Sequence, residues 1–330
     1  MNKKEWIYIA KGIGILLVVM NHFSPTFAPD YWFILCKISR LFGMPLFFLL
    51  SGYLCNPRKD SLFDFTINKI QRLVFPFFTI AALFLGIKLI TSGFVHLRYP
   101  VTLQSIVNLW VDPMYSYMPL LWFIHTLFFI FIIYKIIDLF KINDYVLLAS
   151  IVLLNVFIEM KMPHFTGMFP SLVRILYNSF FFVLGHLLQG RELFNRNSAL
   201  ISLIPLLFLF SLSAHILFVH SYGGILLRYM AAVLGIFIVI MLSILIEQTG
   251  QSLCKKIFSN LGFYLMTIYL FHTLFVSSFR IFFEQVFPPF LPFLVIAFFA
   301  VGAGLFFPLL LEKFILRKYQ ITKKYILGLT

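Results

Sequence analysis

Charge is scarce in this chain. Asp, Glu, Lys and Arg make up 12% of the 330 residues, against 61% hydrophobic and 19% aromatic residues, and mean hydropathy is +0.97. Soluble domains carry about 25% charged residues, so most of this chain belongs in lipid. At about 20 apolar residues per crossing, the length accommodates about ten spans and leaves no room for a separate soluble catalytic domain. Cysteine is also sparse: Cys36, Cys55 and Cys254 show neither CxxC nor any other ligand spacing. That excludes a disulfide framework and predicts no metal site. Acids are the rarest charge, twelve in all, and each falls in a predicted loop or at the end of a predicted span. A lipid interior without carboxylates argues against the Asp/Glu relays of proton-coupled transporters and against the acid and base pair of glycoside hydrolysis. Repeats and low-complexity tracts are absent as well.

What is present is a succession of apolar stretches at residues 6–24, 33–54, 73–91, 118–138, 145–159, 173–189, 199–219, 224–246, 261–283 and 289–311. These predict an all-α, polytopic membrane protein with about ten transmembrane helices, residues 1–330 forming a single integral membrane domain. An even number of crossings puts both ends on one side. With the amino end inside, the inner loops hold seventeen of the 26 Lys and Arg residues, beginning with Lys3 and Lys4, and the outer loops hold only Arg98 and Lys161. By the positive-inside rule both termini are cytoplasmic. The same asymmetry accounts for most of the net charge of +14 without nucleic acid as a partner. The first stretch lacks a small-residue cleavage site and reads as a retained signal anchor. The long outer loop, residues 92–117, carries Trp110, Asp112, Tyr115 and Tyr117, which fit an interfacial aromatic belt better than a lid over a sugar.

Cations and imidazoles do enter the spans: Lys11, Lys37, Arg40, Lys88, Arg174, Arg228 and Arg280, with His22, His125 and His272. Lys88, Arg174 and Arg280 fit snorkelling to headgroups. Lys37 and Arg40 lie farther in, where a phosphate-bearing cofactor or a lipid-linked sugar would satisfy them. Lys11 and His22 are eleven residues apart on one helix. At 100° per residue that is a net rotation of about 20° over a rise of about 16 Å, so they share a face. An extended donor entering from inside would meet the cation first and the imidazole last. Histidine suits removal of a hydroxyl proton near neutral pH. Gly12 and Gly14 lack the flanking strand and Lys-Ser/Thr of a phosphate loop, and fit a close helix contact instead.

The segment from Ile9 to Phe23, with Lys11 and His22 separated by ten residues, resembles the opening helix of the acyltransferase-3 family of polytopic bacterial membrane acyltransferases. Its Lys11-Gly12-Ile13-Gly14 is similar to the branch of fucose 4-O-acetylase-like proteins. Further matches are Pro45-Leu46-Phe47-Phe48-Leu49-Leu50-Ser51-Gly52-Tyr53-Leu54, then Lys69-Ile70-Gln71-Arg72 ahead of Pro76, Leu121-Trp122-Phe123-Ile124 and Tyr269-Leu270-Phe271-His272. The chain departs from the family pattern at Tyr8, where an acid is frequent, at Asn21, where glycine is common, and in having Lys69 as the first member of an Arg-x-x-Arg pair.

The resemblance implies a ten-helix membrane O-acyltransferase that moves acetyl from cytosolic acetyl-CoA to a hydroxyl of an envelope or exported glycan, in the bacterial cytoplasmic membrane. His22 becomes the general base or a transient acyl carrier, and Lys11 its partner toward the donor. Lys69 and Arg72, just ahead of the third predicted helix, would project together and suit a CoA phosphate. Ser51 has no G-x-S-x-G elbow and takes a supporting role. Trp122 fits an interfacial aromatic or a sugar platform, and His125 and His272 fit either buried hydrogen bonding or cavity lining. Partners are then the acyl-CoA donor, a glycan or lipid-linked sugar and membrane lipid, with room for a homo-oligomer. The rival reading is a transporter or flippase for an anionic lipid-linked sugar, which the same acid-poor, cation-bearing interior would suit.

Overall fold

The structure, a computed structural model, describes residues 5–93, 99–191, 196–219, 224–250, 252–285 and 292–328. The loop cations Lys3, Lys4 and Arg98 lie outside the described residues. The helices are α1 (Glu5–His22), α2 (Asp30–Tyr53), α3 (Leu62–Lys69), α4 (Phe75–Thr91), α5 (Leu103–Val111), α6 (Trp122–Leu139), α7 (Asp144–Lys161) and α8 (Pro163–Met168). They continue with α9 (Pro170–Leu187), α10 (Arg196–Val219), α11 (Ile225–Glu247), α12 (Leu253–Phe263), α13 (Leu265–Gln285), α14 (Phe293–Leu311) and α15 (Gln320–Tyr325). No strand occurs among the described residues. Among the described residues six segments are long and apolar enough to cross a membrane, at residues 30–59, 62–91, 119–139, 225–247, 265–284 and 293–316. Each falls on one of the predicted stretches, and the other four predicted stretches are helical too, as α1, α7, α9 and α10.

The chain divides into two compact units, residues 1–51 with 188–312, and residues 52–187 with 313–330. In the first, α1 is the central element, packed by α11, α12, α13 and α14. Nearly all of its turns bury apolar residues, among them Ile9, Ala10, Ile15 and Val19 at 0% exposure. Two glycines let α1 and α12 touch backbone to backbone. A Cβ on Gly12 would lie 2.0 Å from the Phe258 carbonyl oxygen, and one on Gly262 would lie 1.8 Å from that of Tyr8. Small residues at both ends of one crossing are how helices approach closely without a hydrophobic driving force, and the predicted role of Gly12 is borne out. Gly12→Ala and Gly262→Ala are each expected to cost about 1–3 kcal/mol, read as a lowered thermal midpoint in detergent. Gly86→Ala, where a Cβ would meet open space, is expected to leave the midpoint unchanged or slightly raised.

In the second unit α6 packs against α3 and α9 through aromatic side chains and reaches α7 through the Tyr134 hydroxyl at Asp144. Phe131 and Tyr134 pack edge-on against Phe182 of α9. A Cβ on Gly52 would lie 1.9 Å from the Phe182 carbonyl oxygen, so that α9 meets bare backbone there. The helical run from Leu62 to Thr91 is unbroken, α3 passing through a π turn (Ile70–Val74) into α4. Lys69 and Arg72, expected just ahead of a helix, therefore lie within one. The stretch expected as a long outer loop, residues 92–117, contains α5, started by a reciprocal Thr102–Ser105 capping box.

Several cations in and beside the spans have partners within the protein. Arg174 donates to the buried carboxylate of Asp112. Lys88 Nζ donates to the Tyr99 and Tyr117 carbonyls at 2.9 and 2.5 Å rather than snorkelling. Lys135, 4% exposed, donates to the Pro57 and Asp60 carbonyls at 2.6 and 2.9 Å. Acids are buried as well, Asp112 at 6% and Glu312 at 4%, the latter accepting from the Thr267 hydroxyl. Charges so enclosed persist only when paired or hydrogen-bonded.

Candidate active site

The first helix delivers an imidazole to its own end. Apolar residues without a proline carry α1 from Glu5 to His22, and Ser24-Pro25 stops it, since proline cannot continue the backbone ladder. The amino end is tied down by acids: the Trp6 amide donates to Glu247 at 3.0 Å, and Lys255 bridges to Glu5 at 2.9 Å. The far end is tied down by the elements around it. The Trp32 indole donates to the Phe23 carbonyl at 2.7 Å, and the Thr26 amide donates to Glu284 at 2.9 Å.

His22 meets His272, which α13 brings in from 250 positions away in sequence. Nδ1 of His22 lies 3.2 Å from Nε2 of His272, with ring centroids 4.7 Å apart and the rings edge-on. Their surroundings fix the protons. Nδ1 of His272 lies 2.9 and 2.8 Å from the Ile268 and Tyr269 carbonyls. A carbonyl only accepts, so this nitrogen carries the hydrogen and Nε2 is left as an acceptor. Nδ1 of His22 lies 2.8 Å from the Val18 carbonyl as well as facing that acceptor. It must therefore be the N–H of His22, which puts the lone pair on Nε2. His272 is fully buried while His22 is exposed. The pair is thus a sealed acceptor holding an accessible imidazole in one tautomer, with the basic nitrogen on the side away from Val18. That arrangement suits proton removal from an incoming hydroxyl.

Asn21 extends the constellation. Its amide nitrogen donates to the Leu17 carbonyl and the Ser39 hydroxyl at 2.8 and 2.7 Å, and its oxygen accepts from Arg40 Nε at 3.0 Å. Arg40 is thereby fixed one residue from His22, and its neighbour Lys37 is exposed on the same helix. The antiparallel register of α1 and α2 also follows from Gly14, which faces the Leu46 and Phe47 side chains. That register carries Ser51 to the level of Lys11, about 16 Å along the axis from the His22 end. Lys11 lies 5.9 Å from the Tyr8 ring centroid.

The other predicted site residues belong to the second unit. Lys69 Nζ rests over the Phe131 ring at 3.7 Å and near Phe65 at 4.9 Å, a cation on aromatic faces. Arg72 is exposed. The π turn begins between the two, and the Arg72 guanidinium remains close enough for its charge to act on Lys69. His125 is buried, its Nε2 donating to the Trp110 carbonyl at 2.7 Å, with Phe129 and Trp110 packed edge-on. Trp122, half-buried, opens α6 against Phe123. Tyr117, buried, donates its hydroxyl to the Ala81 carbonyl at 2.9 Å, and burial pushes its phenol above the ordinary range. Among the described residues no cluster of three or more His, Cys, Asp or Glu could hold a metal ion.

Sequence reasoning missed the roles of Asn21, Ser39 and Glu284. Asn21 alone carried a signal, as a polar residue where the family pattern has glycine. Neither the curated proteins nor the solved structures contain a match to this chain. The model of the acyltransferase-3 family, described as an acyltransferase domain, matches residues 4–312, from the first helix to the end of α14, and the chain therefore belongs to that family of membrane acyltransferases.

Proposed function

We propose that the chain is an O-acyltransferase of the bacterial cytoplasmic membrane, taking acetyl from cytosolic acetyl-CoA to a hydroxyl of an envelope or exported glycan, free or lipid-linked. Ten helices cross the bilayer in this reading and both termini are cytoplasmic, which the Lys and Arg distribution supports. The Lys11-Gly12-Ile13-Gly14 segment supports the fucose 4-O-acetylase-like branch. The observation that carries the proposal is the His22–His272 contact, which leaves the lone pair of an accessible imidazole on Nε2. Membership of an acyltransferase family weighs against the transport reading.

In the proposed step the acceptor hydroxyl gives its proton to His22 Nε2 as its oxygen attacks the thioester carbonyl carbon. The C–S bond then breaks, and the proton on Nε2 passes to the departing sulfur as CoA thiol. Lys11 steadies the donor on the same face of α1, and Arg40, held by Asn21, steadies negative charge near His22. Lys69 and Arg72 are assigned to CoA phosphates. With Lys69 occupied on Phe131 and Arg72 exposed, Arg72 carries the larger share. Arg72→Ala is expected to raise KM for acetyl-CoA about tenfold, the loss of one charged hydrogen bond, with kcat nearly unchanged. An unaltered KM would remove Arg72 from the donor site.

The reading is tested with the full chain in lipid nanodiscs, acetyl-labelled acetyl-CoA and isolated envelope glycan. Alkali-labile label on the glycan is the expected product. Label that never leaves acetyl-CoA would contradict it.

A further inference from the structure

The second unit contains a cavity of about 650 Å³ between α6, α7, α8 and α9, a volume within the range of about 300–1,000 Å³ typical of ligand sites. Its walls are hydrocarbon along their length. On α7 they run from Leu147 to Ile158, a rise of about 16 Å. Among the described lining residues only Tyr134, Ser150 and Ser179 have polar side chains, and the Ser179 hydroxyl is spent on the Ile175 carbonyl at 2.7 Å. Leu154, Phe157 and Leu172, each about half exposed, form its open rim.

At Tyr134 and Ile137 this cavity adjoins a second, of about 360 Å³ and opposite character, whose walls include Arg58, Lys141, Asp138 and Asp144. Tyr134 stands at the junction. Its hydroxyl donates to Asp144 Oδ1 at 2.9 Å and lies 2.7 Å from His186 Nδ1, which lies 2.8 Å from Asp144 Oδ2. This ring of bonds ties α6, α7 and α9 together where polar and apolar spaces meet. Arg58 reaches Asp138 only at 3.5 Å with its side chain 81% exposed, a pairing weak enough to give way to a ligand.

A hydrocarbon alone would leave the polar space unused. A plain anion would meet two carboxylates, and a plain cation two basic groups. An amphiphile with both charges on its head matches every wall. We propose that the second unit binds one membrane phospholipid with a zwitterionic, amine-bearing headgroup, an acyl chain filling the apolar cavity, phosphate toward Arg58 and Lys141, and ammonium toward Asp138 and Asp144. This does not depend on the acyl-transfer reading.

The test is native mass spectrometry of the delipidated full chain titrated with phosphatidylethanolamine, or with phosphatidylglycerol of the same chains. One phosphatidylethanolamine is expected to remain bound at concentrations where phosphatidylglycerol binds at least fivefold more weakly. Ser179→Trp, which fills the cavity, is expected to abolish the adduct. Leu154→Trp on the exposed rim, where the added ring can be accommodated without entering the core, is expected to weaken it at least fivefold. Arg58→Glu with Lys141→Glu is expected to do the same. Equal retention of both lipids, indifference to Leu154→Trp and to the charge reversals, or preferential occupation by a long-chain acyl-CoA would each overturn the proposal.

Discussion

His22→Ala is expected to lower acyl transfer by about 10²–10⁴-fold, the usual contribution of a positioned general base, without loss of folded protein. His22 lies at the exposed end of α1, and the buried core of that helix, from Ile7 to Val19, does not depend on the ring. The loss should therefore appear in kcat, with KM for acetyl-CoA and the thermal midpoint close to wild type. His22→Gln, which can still donate to the Val18 carbonyl but offers no basic nitrogen, should be as inactive as alanine. Retained activity in either variant would remove His22 from the chemistry.

The second large effect is expected at His272, which acts through His22 as a positioning residue. Its Nε2 is the acceptor that, with the Val18 carbonyl, keeps the His22 proton on Nδ1. His272→Phe keeps the ring volume in a fully buried site and removes the acceptor, so that the wrong tautomer becomes populated. A fall in kcat of about 10–100-fold is expected, the scale at which groups orienting a catalytic histidine act. KM should not move. The discriminating variant is His272→Gln, whose amide oxygen can still accept from Nδ1 and should recover most of the activity lost in phenylalanine. A purely structural role would instead make glutamine the worse of the two, because it buries an amide that phenylalanine does not.

The helices were legible because lipid imposes a simple rule. Every backbone polar group must be satisfied within the segment, so long apolar runs become helices, and each predicted stretch did. Gly12 was legible for the same reason: a small residue on an apolar helix has little use except close approach. The partners of buried cations were not, because they are carbonyls and acids contributed by distant segments. Lys88 is held by Tyr99 and Tyr117, and Arg174 by Asp112, 62 residues away. Nothing in a local window records such pairings. Lys69 was expected just ahead of a helix and lies within one, because the π turn joins α3 to α4 without a break. In the candidate site, His22 and Lys11 could be placed on one face from spacing alone. The partner of His22 could not, since His272 looks like any intramembrane histidine until α13 packs against α1.

The most direct measurement is mass spectrometry of envelope glycans from three strains, one carrying the chain, one lacking it and one carrying His22→Ala at matched abundance. The expected result is a glycan heavier by whole acetyl groups in the first strain alone, with the difference removed by mild alkali. Identical glycan masses in the first two strains, or acetylation undiminished in the His22→Ala strain, would contradict the account.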